Sequence, residues 1–162
     1  MALKRGRAPK DPAQTSPYSA MHTGLGRALT AVYGIFALAA TMRALSQIIR
    51  EFSVAPVSFI LSLIAAIIYI VATVCFVRGS KRSHHAAIAC CAIELVGVIA
   101  VGILSFMEPQ LFPKASVWSG FGVGYGCVPL FLPVLGLWWL FGIGKRVAAQ
   151  EDGAQDTGTE AA

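Results

Sequence analysis

Charge is what this chain has least of. Only 13% of its 162 residues are Asp, Glu, Lys or Arg, while 56% are hydrophobic; an ordinary soluble domain carries about 25% charged and roughly 45–50% apolar residues. So little charge cannot cover a water-exposed surface. The acids are scarcest, and Glu94 alone stands between Glu51 and Glu108. Residues 1–20 lack the apolar core of a cleaved secretory signal, carrying Lys4, Arg5, Arg7 and Lys10 among Pro9, Pro12 and Pro17. The net charge of +5 does not point to nucleic acid, because the basic residues sit at chain ends and in short loops and not along one folded face. The four cysteines contain no C-x-x-C pair, and the adjacent Cys90 and Cys91 point about 100° apart on a helix, which excludes thiol oxidoreductase chemistry of the quinone-linked kind. Cys75, Cys90 and Cys91 fall in helix halves facing a reducing compartment and Cys127 stands alone, so no structural disulfide is expected. His22, His84 and His85 lie at span boundaries, which leaves haem and zinc without a ligand set. No metal or other cofactor is expected.

What is present is a set of long uncharged runs. No charge falls between Arg27 and Arg43, Phe52–Val77 is uncharged for 26 residues, Ala86 to Met107 is broken only by Glu94, and Ala115 to Gly144 is uncharged for 30 residues. A bilayer-spanning helix needs about 20 such residues, so four spans use about half the chain and leave no second globular domain. The pattern predicts an all-α, polytopic transmembrane four-helix bundle over 23–146, with spans at about 26–48, 55–77, 86–107 and 123–143. Pro56 suits the first turn of the second span, and Glu108-Pro109 stops the third. Residues 1–22 and the acidic stretch 147–162 are expected to be disordered cytoplasmic tails. A start at Met21 would remove most of the first tail without touching a helix.

Lys and Arg near span ends are retained on the cytoplasmic side. With four spans, ten basic residues (Lys4, Arg5, Arg7, Lys10, Arg27, Arg78, Lys81, Arg82, Lys145, Arg146) fall on one side, and Arg43, Arg50 and Lys114 on the other. Both termini are therefore expected in the cytoplasm, and segments 49–54 and 108–121 outside a cell (inner) membrane. Trp138 and Trp139 then sit at the inner interface and Trp118 at the outer one, where indoles prefer to lie.

Glu94 is the residue most able to carry chemistry. A charge at its depth costs a few kcal/mol on insertion scales, so the carboxyl is expected to be protonated or paired. Eight residues from Ala86 at 1.5 Å each place it about 12 Å above the inner boundary, and Tyr69, eight residues from Val77 on the returning span, is its candidate partner. Such an acid either titrates or binds an ion, or serves as a neutral carboxyl that fixes bundle register; the second is preferred, because no other buried acid or base completes a relay. Arg43, Gln47 and Arg50 recur at spacings of four and three beside Glu51, one helix face that receives an anionic headgroup or partner, or else snorkels to the interface.

The string Gly120-Phe-Gly-Val-Gly-Tyr-Gly126 is neither a phosphate loop nor a dinucleotide fingerprint, having no strand before it and no Lys-Ser/Thr after it. Val123-Gly124-Tyr125-Gly126 matches the core of a potassium filter, yet Gly122 stands at the filter's Thr position and Cys127 where an acid is usual. Gly120, Gly122, Gly124 and Gly126 are instead expected to admit a neighbouring span at close range, with Pro129 and Pro133 kinking the fourth helix.

The run Val117-Trp-Ser-Gly-Phe-Gly-Val-Gly-Tyr-Gly126, then Val128-Pro-Leu-Phe-Leu-Pro-Val-Leu-Gly-Leu-Trp138, with Glu94-Leu-Val-Gly97 and Pro109-Gln-Leu-Phe-Pro113 upstream, resembles small four-span integral membrane proteins of actinobacteria. The resemblance covers about 24–141 and implies a location and a fold, with no reaction and no active-site residues to carry over. With no nucleophile–base pair or metal cluster legible, the expectation is a non-enzymatic accessory or scaffold subunit whose partners are the bilayer and a membrane protein or further copies of itself. A small oligomeric transporter or channel organised around Glu94 is the alternative.

Overall fold

Uninterrupted apolar sequence between strong helix stops makes four helices here. In the computed structural model, which describes residues 17–22, 24–51 and 53–160, α1 runs Leu25–Glu51, α2 Pro56–Arg78, α3 Lys81–Met107 and α4 Val128–Glu160. Short 3-10 helices cover Pro17–His22, Pro109–Leu111 and Ser119–Tyr125, and no strand occurs among the described residues. All four α-helices are long and apolar enough to cross a membrane. The protein is an all-α four-helix bundle with the makeup of a multi-pass membrane protein.

Local chemistry sets the breaks. Pro56 occupies the first turn of α2, where its missing N–H is not needed. Gly79 closes α2 in the left-handed region (φ +53°), its N–H reaching the Cys75 carbonyl. Ser80 immediately caps α3, its hydroxyl accepting the Ser83 N–H at 3.2 Å. The α2–α3 connection is therefore two residues long, and α3 begins at Lys81, a turn and a half before its apolar run starts at Ala86. At the far end of α3 the chain stops at Glu108-Pro109.

Consecutive helices pack against each other in antiparallel fashion, whereas α1 and α4 make few close backbone approaches. Buried alanines let α1 and α2 come close, Ala37, Ala40 and Ala44 on one and Ala65, Ala66 and Ala72 on the other; without a hydrophobic drive between helices, small residues of this kind supply association through packing. Large aliphatics such as Ile35, Leu38, Ile67 and Val96 point outward, an apolar exterior suited to lipid. Between α1 and α4 the surface opens into an apolar groove of about 590 Å³ lined by Val32, Phe131, Leu132, Leu135 and Trp138, among others.

The bundle has two unlike ends. The terminal end holds the start of α1, the α2–α3 turn and the later part of α4; the loop end holds the turn at 53–55 and the long 108–127 connection. At the terminal end, Pro17–His22 is a 3-10 helix whose Tyr18 and Met21 are buried, so residues 17–22 belong to the bundle and not to a loose tail; Tyr18 rests 5.3 Å from the ring of His84. The rest of the expected first tail, residues 1–16, lies outside the described residues. The acidic stretch also differs from expectation, because α4 continues to Glu160: Ala148, Ala149, Gln150 and Glu151 are good helix formers and extend a helix already nucleated.

At the loop end the connection folds back onto α3. The Trp118 indole covers Gly97, where an added Cβ would stand 2.8 Å from the ring, and Phe121 covers Gly102 in the same way. The Gly120 N–H donates to Ser105 Oγ at 2.9 Å, and the guanidinium of Arg43 on α1 donates to the Ala115 carbonyl at 2.5 Å and to the Tyr125 hydroxyl at 3.1 Å. Two expectations are corrected. Trp118 is not an interfacial anchor but is buried to 3% exposure, because α3 offers a glycine seat for its ring. The glycine string does lie at close range to a neighbouring span, α3, and Gly120, Gly122 and Gly126 also take positive φ in a tight 3-10 coil, while Gly124 has open space beside it. The fourth helix accordingly starts at Val128, not at 123, and its helical assignment is continuous through Pro133.

These contacts make Gly97 and Gly142 opposite cases. Gly97→Val is expected to lower stability by about 1–3 kcal/mol through overpacking against Trp118, whereas Gly142→Ala, with nothing within 4 Å of an added Cβ, is expected to be neutral or stabilising by up to about 1 kcal/mol. Thermal unfolding in detergent, followed by far-ultraviolet circular dichroism, separates the two.

Candidate functional site

Three antiparallel helices bring three polar residues to one depth. Tyr33 lies seven residues after the predicted start of the first span, Tyr69 eight before the end of the second and Glu94 eight after the start of the third. At 1.5 Å per residue these depths agree to within about 2 Å. All three side chains are fully buried. Glu94 Oε2 accepts a hydrogen bond from the Tyr33 hydroxyl at 2.9 Å, and the same hydroxyl lies 3.2 Å from Cys91 Sγ, one turn earlier on α3. Gly136 of α4 closes this side; a Cβ there would stand 3.0 Å from Cys91 Sγ.

Tyr69 is the partner expected from the sequence, and the structure brings it beside the carboxyl without a bond. Its hydroxyl lies within interaction range of Glu94 and of the Trp118 indole but closes a hydrogen bond with neither. Glu94 Oε1, Tyr69 OH and Trp118 Nε1 are all buried and all lack a protein partner. The bonded partner, Tyr33, is missed by the sequence reading, although the depth count that found Tyr69 would have found it if applied to the first span. Trp118 carries no comparable signal, since only the folded connection reveals that it turns inward.

Aromatic rings continue the site in both directions. Toward the loop end, Tyr69 meets Phe36 with ring centroids 5.8 Å apart, Phe36 meets Tyr125 at 6.0 Å, and the Arg43 guanidinium sits 5.7 Å from the Tyr125 ring. Toward the terminal end, Tyr33 stacks on Phe76 at 5.4 Å and Phe76 on Trp139 at 6.3 Å. The first direction carries hydroxyls and a cation; the rings of the second, Phe76 and Trp139, carry neither.

The remaining sequence candidates separate. Arg43 turns inward to fasten the connection, Gln47 is half-buried with Oε1 unpartnered, and Arg50 is exposed, so the three do not form one outer contact surface; the side chain of Glu51 lies outside the described residues. Arg43 serves the chain itself because Ala115 and Tyr125 offer it oxygen acceptors at the loop end. The filter-like tetrapeptide is coiled against α3 at the loop end. The four cysteines are free thiols. Among the described residues no group of three or more His, Cys, Asp or Glu is arranged to hold a metal ion. His84 is buried, its Nε2 2.8 Å from the Leu140 carbonyl, which ties α3 to α4.

Compared with protein families, with curated proteins and with solved structures, the chain matches none.

Losing the Tyr33 hydroxyl strands a buried carboxyl oxygen. Interhelical hydrogen bonds inside bilayers average about 0.6 kcal/mol and reach about 1.7; a carboxyl left with no partner belongs at the upper end. Tyr33→Phe is expected to destabilise by about 1–2 kcal/mol, and Tyr33→Phe with Glu94→Leu to recover most of that loss, since removing both partners strands neither end of that bond. A double-mutant cycle on detergent unfolding reads the coupling directly.

Proposed function

We propose that the chain is a non-enzymatic accessory or scaffold subunit of a membrane complex, lying in the cell membrane with both termini cytoplasmic. One observation carries the reading, the apolar groove between α1 and α4. Each of the other helix pairs along the chain is closed by packing, while this one leaves Val32 facing Phe131, Leu132 and Leu135 across a gap open to the membrane. A transmembrane helix of a partner fits such a gap, because association within lipid is won by close packing of side chains and not by burial from water. The firmly folded connection at the loop end offers the same partner a fixed surface outside the membrane.

Gentle solubilisation of native membranes, followed by purification on a tag, tests this. The expected result is stoichiometric recovery in one larger complex, lost when Leu135→Trp fills the groove and kept when a lipid-facing position such as Ile67→Trp is changed. Recovery as a lone chain, or a complex indifferent to Leu135→Trp, would sink the proposal. The ten-to-three distribution of basic residues supports the orientation; a periplasm-only reporter fused after Arg146 is expected to stay silent.

A second reading, a small oligomeric transporter or channel around Glu94, is favoured by the unpartnered Oε1. Proteoliposome flux decides it. A pH gradient collapsed by the wild type and retained by Glu94→Gln would promote transport over scaffolding.

A further inference from the structure

We propose that Glu94 is a proton-binding site served by one internal water held between Tyr69 and Trp118. Its basis is the convergence of three buried polar atoms with no protein partner, contributed by α2, α3 and the connection: Tyr69 OH, Glu94 Oε1 and Trp118 Nε1. Each such group left unsatisfied costs about 1–3 kcal/mol, and three in one place call for a common partner. Their chemistry defines it. The indole N–H only donates, the phenol O–H donates, and a carboxylate oxygen only accepts. A single water accepts from Trp118 and Tyr69 and donates to Glu94, using three of its four hydrogen-bonding positions, which is the usual number for a buried water.

Toward the loop end, Phe36 packs against both Tyr69 and Tyr125, and Arg43 holds the Tyr125 hydroxyl at 3.1 Å. Toward the terminal end, Phe76, Ala87 and Leu140 are buried at 0% exposure, and Cys91, one turn earlier on α3, holds its thiol 3.2 Å from the Tyr33 hydroxyl. The titratable or charged groups facing Glu94 are Tyr33 from α1, Tyr69 from α2, Cys90 and Cys91 from α3, and Tyr125 with Arg43 beyond it at the loop end; α4 presents Gly136. None of these is a second acid, so one carboxyl binds one proton.

The step balances without any redox partner. A hydronium that reaches the site gives its proton to the bound water and is left as water. The bound water passes one of its own protons to Oε1 and so remains water. The carboxylate loses its charge, and the Tyr33 bond to Oε2 persists throughout. Uptake of one proton at one carboxyl is an event separate from conduction. The site stands whether or not a partner fills the α1–α4 groove, and a negative flux result leaves it untouched.

The test uses the full chain in nanodiscs, free of any partner. After a pH jump, infrared difference spectra are expected to show a protonated-carboxyl band that is absent in Glu94→Gln. Tyr69→Phe and Trp118→Phe, each checked for native helicity and unfolding temperature, are expected to slow its response about tenfold or more. In indole-¹⁵N-labelled protein, magnetisation transfer from water to the Trp118 N–H is expected in the wild type and is expected to be lost in Tyr69→Phe. A Glu94 band that does not respond to pH, a response equally fast in both variants, or a Trp118 N–H without a water contact would each overturn the proposal.

Discussion

Inside hydrocarbon no solvent repairs an unpaired polar group, so every such group must be answered by the protein itself. The bond between Tyr33 and Glu94, at 2.9 Å, is where this constraint presses hardest. It joins α1 to α3 across the middle of the bundle, although these two helices are not neighbours in sequence. Around it the chain places rings and small residues: Phe76 and Tyr69 against Tyr33, and Gly136 beside Cys91. A larger residue at position 136 would crowd Cys91, and through it the hydroxyl that holds the carboxyl.

The same constraint governs the loop end. A connection of some twenty residues that floated free would leave backbone groups to water and Trp118 to the interface. Instead Arg43 reaches out of α1 to take two oxygens of the connection, and α3 presents Gly97 and Gly102 as seats for two aromatic rings. The connection is thereby part of the bundle's interior. That is why a residue of the loop, Trp118, contributes to the surroundings of an acid in the middle of a helix, and why α4 begins only after Gly126 and Cys127, both at positive φ, have turned the chain.

Helix count, class and the prominence of Glu94 were legible because each rests on composition and on the cost of charge in lipid, both one-dimensional properties. Depth along a span is also one-dimensional, which is why Tyr69 could be placed beside Glu94 by counting. Azimuth is not. The helices carry apolar residues all round, so the sequence does not say which side of α1 faces inward, and Tyr33 gives no sign that it, rather than Tyr69, makes the bond. Trp118 shows the same limit, since an indole near a boundary reads as an interfacial anchor until the fold of its own loop turns it inward. The start of α3 at Lys81 rests on a Ser80 cap, a local signal masked by the basic residues that follow it. Continuation of α4 to Glu160 reflects a helix already formed, which propagates through residues that would not begin one.

Gly79 and Ser80 are the whole of the link between α2 and α3. So short a tether removes slack, and neither of these helices can slide along the membrane normal without dragging the other. With Arg78 on one side of the turn and Lys81 and Arg82 on the other, the pair is pinned at one depth as a rigid stave. The outer helices are hung differently, α4 on a long connection and α1 along α2 through the buried alanines of both. The lateral gap is therefore bounded on one side by a helix fastened to the central hairpin and on the other by a helix hung from the long connection.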